Sequence, residues 1–159
     1  MSYGAGGGSV NNTRRLGEFV EEVGPEEEAE LMLSTEQLAK GWAKGLSYVG
    51  AHDQITFCFT GSYGKVMHKS SGSLFYTNAS NALATVPLDR TEMQQHHLRL
   101  RLFSPKELLN IMGFPPPFSF PSGNTLRHRF KQIGNSISVH VVLPLIDYLL
   151  ASAPRVPKT

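Results

Sequence analysis

Apolar and polar positions alternate in the middle of the chain, and this pattern predicts short strands. Between residues 54 and 77, bulky apolar residues alternate with smaller or polar ones, and three glycines separate the runs. Residues 97–103 alternate again, with leucines on one side and Arg99 and Arg101 on the other. Because successive side chains of a strand point to opposite faces, a period of two indicates strands in both stretches.

Capping signals predict helices on either side of these strands. Ser34, with Gln37 three residues later, is a capping box, so a helix should run from there to about residue 44. Ser104 precedes a proline at the first helical position and Glu107 at the third. This second capping box predicts a helix that ends where Gly113 supplies a left-handed residue.

The remaining stretches give less regular patterns. Residues 16–23 fit either a short helix or a strand, and residues 26–30 form an acidic run. The C-terminal apolar stretch predicts a last helix over residues 137–151, which follows a turn at Gly134-Asn135-Ser136. Residues 1–13 are rich in glycine and polar residues and should form a flexible lead-in.

Length and composition indicate a globular protein without a membrane span. The chain has 159 residues, of which 40% are hydrophobic and 18% charged, enough for one domain or one lobe of a larger fold. No run approaches the roughly 18 consecutive apolar residues of a membrane helix, and the N-terminus lacks a secretory pattern. The single cysteine excludes an internal disulfide. We therefore expect an intracellular protein, in the cytoplasm or the nucleus.

Charge is distributed unevenly along the chain. Residues 14–50 hold four basic side chains against eight glutamates, a net of −4. From residue 51 onward there are eleven basic residues against five acidic ones, a net of +6. A basic C-terminal part is compatible with a polyanionic partner, but ordinary variation of a solvated surface explains it as well.

Two C-terminal motifs carry a family resemblance. Residues 132–142, with Gly134-Asn135-Ser136 at their centre, resemble the last conserved motif of the cytosine-5 methyltransferases. Residues 101–107, followed by Gly113-Phe114-Pro115, resemble the penultimate motif of the same family. Either motif alone is weak, whereas the two in this order and at this spacing are specific.

A third segment resembles one branch of that family. Cys58-Phe59-Thr60, then Tyr63-Gly64 and later Gly72-Ser73, is similar to the target-recognition signature of the tRNA-methylating branch. That branch modifies a cytosine in the anticodon loop of tRNA-Asp. The resemblance covers residues 14–151, although the segment between Tyr63-Gly64 and Gly72-Ser73 is one residue longer than the family pattern.

The resemblance implies an α/β fold, namely the C-terminal part of a Rossmann-like methyltransferase that depends on S-adenosylmethionine. It would comprise a small mixed α+β target-recognition lobe and a C-terminal helix of the catalytic domain. On this basis residues 14–96 form the target-recognition region, residues 97–152 return to the catalytic domain, and residues 153–159 are a tail.

The catalytic elements of the family are missing from this sequence. Family members supply a glycine-rich turn for the cofactor, followed in order by a Pro-Cys nucleophile, a glutamate that engages the base and an Arg-x-Arg segment, and this ordered series is not found here. Cys58 stands between two phenylalanines, so we assign no catalytic residue and interpret this cysteine as a small buried hydrophobe in a strand.

Ser136 is the best candidate for a cofactor contact, flanked by Asn135 and Ile137. Backbone amides at a helix N-terminus and an adjacent hydroxyl suit a carboxylate, and the resemblance implies that this position lines the S-adenosylmethionine pocket near its methionine end. The alternative is a plain helix cap without a ligand. One residue can do both.

Candidates for RNA contact are mostly basic. Tyr63 or Phe75 could stack on an unpaired base, and Arg101 has the alternative of pairing with Glu107. His96-His97 lacks a third metal ligand at any standard spacing. The target-recognition set is Cys58, Phe59, Thr60, Tyr63, Gly64, Lys65 and Arg101, and the further cations are Lys69, Arg99, Arg127, Arg129 and Lys131.

The leading hypothesis is a tRNA cytosine-5 methyltransferase of which this chain is the C-terminal part, inactive alone. Its partners would be tRNA and the missing catalytic half, with no metal and no membrane. The alternatives are a non-enzymatic module that binds RNA or docks onto a partner, and part of a DNA methyltransferase. In the leading case the apolar side of the last helix lacks the sheet that normally covers it, so this side is either exposed or buried on the small lobe, and we expect poor stability of the isolated chain.

Overall fold

The computed structural model describes residues 13–77 and 99–152 of the chain. Within these two stretches three short strands and five α-helices are found. The strands are β1 (Tyr48–Val49), β2 (Leu74–Thr77) and β3 (Arg99–Arg101). The helices are α1 (Pro25–Leu31), α2 (Thr35–Ala39), α3 (Pro105–Met112), α4 (Leu126–Gly134) and α5 (Val139–Ser152). Short 3-10 helices lie at Leu16–Glu18, Gly41–Gly45 and Lys69–Ser71.

The sheet has the order β1-β2-β3 and is mixed. Strand β1 pairs with β2 in parallel, and β2 pairs with β3 in antiparallel register with Phe75 opposite Arg101. All four residues of β2 are buried, as expected for a central strand. The pairing of β2 with β3 joins the region that the sequence assigned to target recognition with the C-terminal motif region. The two regions therefore share one sheet.

A cluster of aromatic rings forms the centre of the core. Phe59 contacts Tyr63 and Phe103 edge to face, with ring centroids 5.0 and 5.5 Å apart. Tyr63 contacts Phe130 of α4 in the same way at 5.1 Å, and Phe75 of β2 lies 5.2 Å from Phe103. Edge-to-face pairs add to the free energy already gained from burying the rings. The cluster connects the recognition signature, the sheet and α4.

The capping box before α3 is confirmed. Ser104 Oγ accepts a hydrogen bond from the Glu107 amide at 3.1 Å, and the Glu107 carboxylate accepts one from the Ser104 amide at 2.7 Å. Gly113 ends the helix with a φ of 80°, in the left-handed region that favours glycine. The capping box at Ser34 is also confirmed, because Gln37 completes both of its bonds.

Several sequence-based expectations about elements were wrong. Residues 54–59 form no strand, and the predicted helix after Ser34 breaks at Lys40, whose ψ of 148° is extended. A 3-10 helix follows the break. The acidic run lies within α1, which Pro25 opens at the first helical position. Helix α4 was not anticipated, and the proposed strand over residues 97–103 reaches only from Arg99 to Arg101 in the part described.

Helix α5 projects an apolar surface that nothing in the described residues covers. None of its residues is buried, and Leu143, Ile146 and Leu150 are 54%, 44% and 71% exposed. Of the two alternatives, exposure or burial on the small lobe, exposure is therefore the one found in the described residues. By length and hydropathy alone Leu126–Ser152 passes the test for one membrane-crossing helix. However, α5 has 14 residues and rises about 21 Å, short of a bilayer core of about 30 Å.

Candidate cofactor edge and RNA-recognition surface

The recognition signature and the C-terminal motif are in direct contact. A Cβ atom at Gly134, the last residue of α4, would overlap the carbonyl group of Thr60 and the amide nitrogen of Gly61. A Cβ at Gly61 would in turn lie 2.8 Å from Asn135 Oδ1. Only glycines permit this approach of two backbones. The segment that resembles a target-recognition signature thus rests on the turn that resembles a cofactor motif.

Ser136 lies in the turn between α4 and α5 rather than at the cap of α5. Its hydroxyl donates a hydrogen bond to the Ile133 carbonyl at 2.6 Å, and its amide donates to the same oxygen at 2.9 Å. Helix α5 begins two residues later than predicted, because the Ser138 carbonyl accepts the amides of Val141 and Val142 at 3.1 Å. The plain N-cap alternative for Ser136 was therefore wrong.

The turn can still present donors to an anionic group. Asn135 and Ile137 are exposed and Ser136 is half-buried, and the amides of Val139 and His140, the first two of α5, have no acceptor within the helix. On its inner side Ser136 lines a cavity of about 190 Å³ together with Gln132 and Phe114. These features fit one edge of a site for a ligand with a carboxylate.

Tyr63 and Phe75 do not provide the exposed stacking surface that was predicted. Both rings are buried in the core, as is Phe59. The Tyr63 hydroxyl donates to the Ser73 carbonyl at 2.9 Å and accepts from the Phe103 amide at 2.9 Å. Burial raises the pKa of Tyr63 far above the ordinary value of a phenol, so the hydroxyl stays protonated and can donate. Tyr63 and Phe75 therefore have a structural role in the core.

Replacing Tyr63 with phenylalanine should lower the free energy of unfolding by about 1–3 kcal/mol, because the buried Phe103 amide and Ser73 carbonyl lose their partner. Urea denaturation of the purified chain measures this loss. Tyr148→Phe, at an exposed position of α5, is the matched control and should change little. Equal effects of the two substitutions would contradict the structural role of the Tyr63 hydroxyl.

Arg101 also proves to be a core residue and not a surface contact for RNA. Its guanidinium forms two hydrogen bonds with the Glu107 carboxylate, at 2.7 and 2.8 Å, and both side chains are almost fully buried. The guanidinium also lies 4.9 Å from the centre of the Phe75 ring. The alternative given by the sequence, a pair between Arg101 and Glu107, is therefore the arrangement found.

Cys58 is exposed and lies outside any strand, which corrects its interpretation as a buried hydrophobe. Its sulfur lies 3.9 Å from the Phe59 carbonyl oxygen. Among the described residues this is the hydrogen bond found for the thiol, and none joins it to a basic or cationic side chain. Activation of a nucleophilic cysteine needs such a neighbour. The geometry therefore gives no support to a catalytic role.

The predicted cations differ in their availability. Lys65, Arg127 and Lys131 are exposed and form no ion pair within the part of the chain that the structure describes. Arg99 lies 3.6 Å from Glu28, and Arg129 is half-buried beside an aromatic ring. Thr60 and Gly64 are half-buried next to the core. The side chain of Lys69 and the pair His96-His97 lie outside the described residues. Within the described residues, no cluster of three or more histidine, cysteine, aspartate or glutamate side chains could hold a metal ion.

A row of aromatic rings on the surface was not among the predicted features. Phe114, Phe118 and Phe120 form a row of contacting rings after α3, with centroids 5.0 and 5.7 Å apart. Arg129 of α4 lies over the last ring at 5.8 Å from its centre. The signal was present in the sequence as phenylalanines that alternate with prolines and serine over residues 114–121.

Comparison with known proteins agrees with these motifs. A family model described as C-5 cytosine-specific DNA methylase matches residues 18–150. The tRNA (cytosine(38)-C(5))-methyltransferase of Bos taurus is 36% identical over 111 residues, covering 65% of this chain and 28% of the relative. Its counterpart in Rattus norvegicus is 34% identical over 128 residues, covering 76% and 32%. The chain thus spans about a third of the length of these relatives.

A solved structure shows the same fold. The crystal structure of the S. pombe Dnmt2 methyltransferase superimposes with a TM-score of 0.74 and 26% sequence identity. The match covers 87% of this chain and 42% of that chain. The arrangement of strands and helices described above is therefore that of a methyltransferase segment.

Proposed function

Since the chain belongs to the C-5 cytosine-specific DNA methylase family, we propose that it serves as the recognition part of an enzyme that methylates C5 of a cytosine in tRNA. The substrate we propose is the anticodon-loop cytosine of tRNA-Asp, and the methyl donor is S-adenosylmethionine. The protein would act in the cytoplasm or the nucleus. The tRNA branch is favoured because the bovine and rat relatives carry that activity in their names.

The observation that carries this proposal is the contact between Thr60-Gly61 and Gly134-Asn135. It places the recognition signature against the turn that contains Ser136. In an enzyme that transfers a methyl group, the target base and the donor must meet at one point. Direct packing of the two motifs supplies the rigid support that such an alignment requires.

Within this enzyme, Ser136 with Asn135 and Ile137 would form one edge of the cofactor pocket. The amides of Val139 and His140, at the start of α5, would bind the carboxylate of the methionine end. Bound S-adenosylmethionine supplies the methyl group. The chain contributes no nucleophile, because Cys58 lacks an activating neighbour in the described structure, so the attacking thiolate must come from residues supplied by the catalytic half.

Two other functions have specific support. The matching family model is described as a DNA methylase, which favours duplex DNA as a second candidate substrate. The uncovered apolar side of α5 favours a docking module that joins a separate catalytic half. Both are separable from the first by the same experiment.

A chimera tests the proposal. Residues 14–152 of this chain replace the matching C-terminal part of the bovine relative, which then supplies the catalytic half. With labelled S-adenosylmethionine, we expect methyl transfer to tRNA-Asp at the anticodon loop and at least tenfold less to duplex DNA of equal length. The isolated chain should transfer no methyl group to either substrate, because it lacks a nucleophile.

A chimera whose bovine part carries alanine in place of its nucleophilic cysteine is the negative control. Preferential labelling of the duplex would reject tRNA and favour the DNA candidate. Activity on mixing the separate chain with the remaining bovine part would favour the docking module instead.

A further inference from the structure

A cavity of about 260 Å³ opens on the surface between α1, the first turn of α3, the loop after α3 and α4. Phe118 and Phe120 form its aromatic wall, Lys106 and Arg129 bring two cations to it, and Glu27 lines one side. These five residues define the cavity, and we call it the Phe118 cavity. Apart from Pro105 and Lys106, the residues that line it lie outside the motifs that resemble the methyltransferase family.

The aromatic wall is both exposed and held in place. The Phe118 ring is 40% exposed and contacts Phe114 at 5.0 Å and Phe120 at 5.7 Å. A ring fixed by two neighbours loses little conformational entropy when a ligand packs on it. Exposed aromatic rings of this kind are the platforms on which unpaired bases stack.

The two cations at the cavity have donors left over. Lys106 Nζ donates to the Pro116 carbonyl at 3.1 Å, which leaves further N–H groups of the ammonium free. Arg129 donates through Nε to the Asn124 carbonyl at 3.1 Å, and its two terminal nitrogens form no bond to any described residue. Two cations with free N–H donors beside an aromatic surface suit a phosphate group next to a planar ring.

The surroundings favour a nucleic acid over an apolar peptide. Helix α4 carries Arg127, Arg129 and Lys131 and no acidic residue. Across the described structure none of these three forms an ion pair. Glu27 reduces the positive charge locally, but a carboxylate accepts hydrogen bonds from the amino or imino groups of a base edge. An aromatic wall, a carboxylate and two cations in one cavity therefore match a base and its phosphate.

We propose that the Phe118 cavity binds one unstacked nucleotide of the RNA substrate. Its base packs on Phe118 and donates to Glu27, and its phosphate is bound by Lys106 and Arg129. This assignment rests on the proposed function, because the proposed function makes RNA the polyanion that the cavity would bind. A nucleotide next to the target would be held there when the loop opens for methylation.

Binding measurements on the purified chain test this assignment. The probes are a fluorescent RNA hairpin with an open anticodon loop and a fully paired RNA duplex of equal length. Phe118→Ala should weaken binding of the hairpin about tenfold, the loss of one stacked base, and change duplex binding less than twofold. Phe118→Trp should retain the affinity of the original chain for the hairpin. The double variant Lys106→Gln/Arg129→Gln should reduce the salt dependence of hairpin binding. The slope of the logarithm of the binding constant against the logarithm of the salt concentration should become less negative by roughly 0.7 for each phosphate that the variant no longer neutralises.

Tyr148→Ala and Lys40→Gln are the matched controls, because they remove an exposed ring and an exposed cation that do not line the cavity. Thermal melts establish that each variant is folded. If the original chain binds neither probe, both the RNA function and the cavity assignment are rejected. If it binds the hairpin and Phe118→Ala binds equally well, the cavity assignment alone is rejected.

Discussion

Replacing Glu107 with glutamine is expected to lower the free energy of unfolding by about 3–5 kcal/mol. The carboxylate accepts four hydrogen bonds, two from Arg101 and one each from the amides of Ser104 and Glu21. Glutamine keeps one acceptor oxygen and turns an N–H₂ group toward donors. The Arg101 guanidinium would then remain buried without a counter-charge, which is the costly case for an ion pair in a core. Chemical denaturation measures the loss.

The surface pair between Lys40 and Glu36 is the control for this substitution. Its atoms are 4.0 Å apart and both side chains are exposed, so Glu36→Gln should change the stability by less than about 1 kcal/mol. The double variant Arg101→Met/Glu107→Leu should recover much of the loss, since no charge stays buried. Equal destabilisation by Glu107→Gln and Glu36→Gln would show that the buried pair contributes no more than a surface pair.

Gly134→Ala is the second substitution with a large expected effect, a loss of about 3 kcal/mol. The new methyl group would overlap the backbone of Thr60 and Gly61, and a backbone cannot rotate away as a flexible side chain can. Alanine gains up to about 1 kcal/mol over glycine from helix propensity, but the overlap outweighs this gain. The melting temperature should fall by roughly 2–4 °C for each kcal/mol lost.

Gly45→Ala separates this overlap from the general effect of adding a methyl group. No atom would lie within 4 Å of a Cβ at Gly45, and its φ is not positive, so we expect a change within about 0.5 kcal/mol. In the chimera, Gly134→Ala should also reduce methyl transfer, because the recognition signature shifts relative to the turn at Ser136. A stable Gly134→Ala variant would mean that the two segments separate at little cost.

The sequence predicted those elements whose determinants lie close together along the chain. The cap, the proline and the terminal glycine of α3 fall within ten residues, from Ser104 to Gly113. The alternation over residues 54–59 was misleading, because Ile55 and Phe57 are exposed in the fold and no strand within residues 13–77 and 99–152 pairs with them. Pairing between distant segments depends on the whole chain and leaves no local signal.

The parts of the candidate site that were predicted are likewise those whose determinants lie close together along the chain. The resemblance located the turn at Ser136, but the start of α5 depended on Ser138, a choice among adjacent serines that local pattern does not make. Whether Arg101 faced solvent or Glu107 could not be decided from an alternating strand, because the core lies on the side that β2 and α3 cover. Helix α4 was missed since four of its first six residues are basic or histidine and resemble a solvated loop.

The short sheet has a consequence for the tendency of the chain to self-associate through strand edges. An open strand edge is a template for pairing with another molecule. Here residues 31–33 cover the outer edge of β3, where the Leu33 amide donates to the Leu100 carbonyl and the Leu102 amide to the Leu31 carbonyl, both at 2.9 Å. The opposite edge belongs to β1, which is only two residues long. Within the described residues neither edge therefore offers a long open strand on which a sheet could grow.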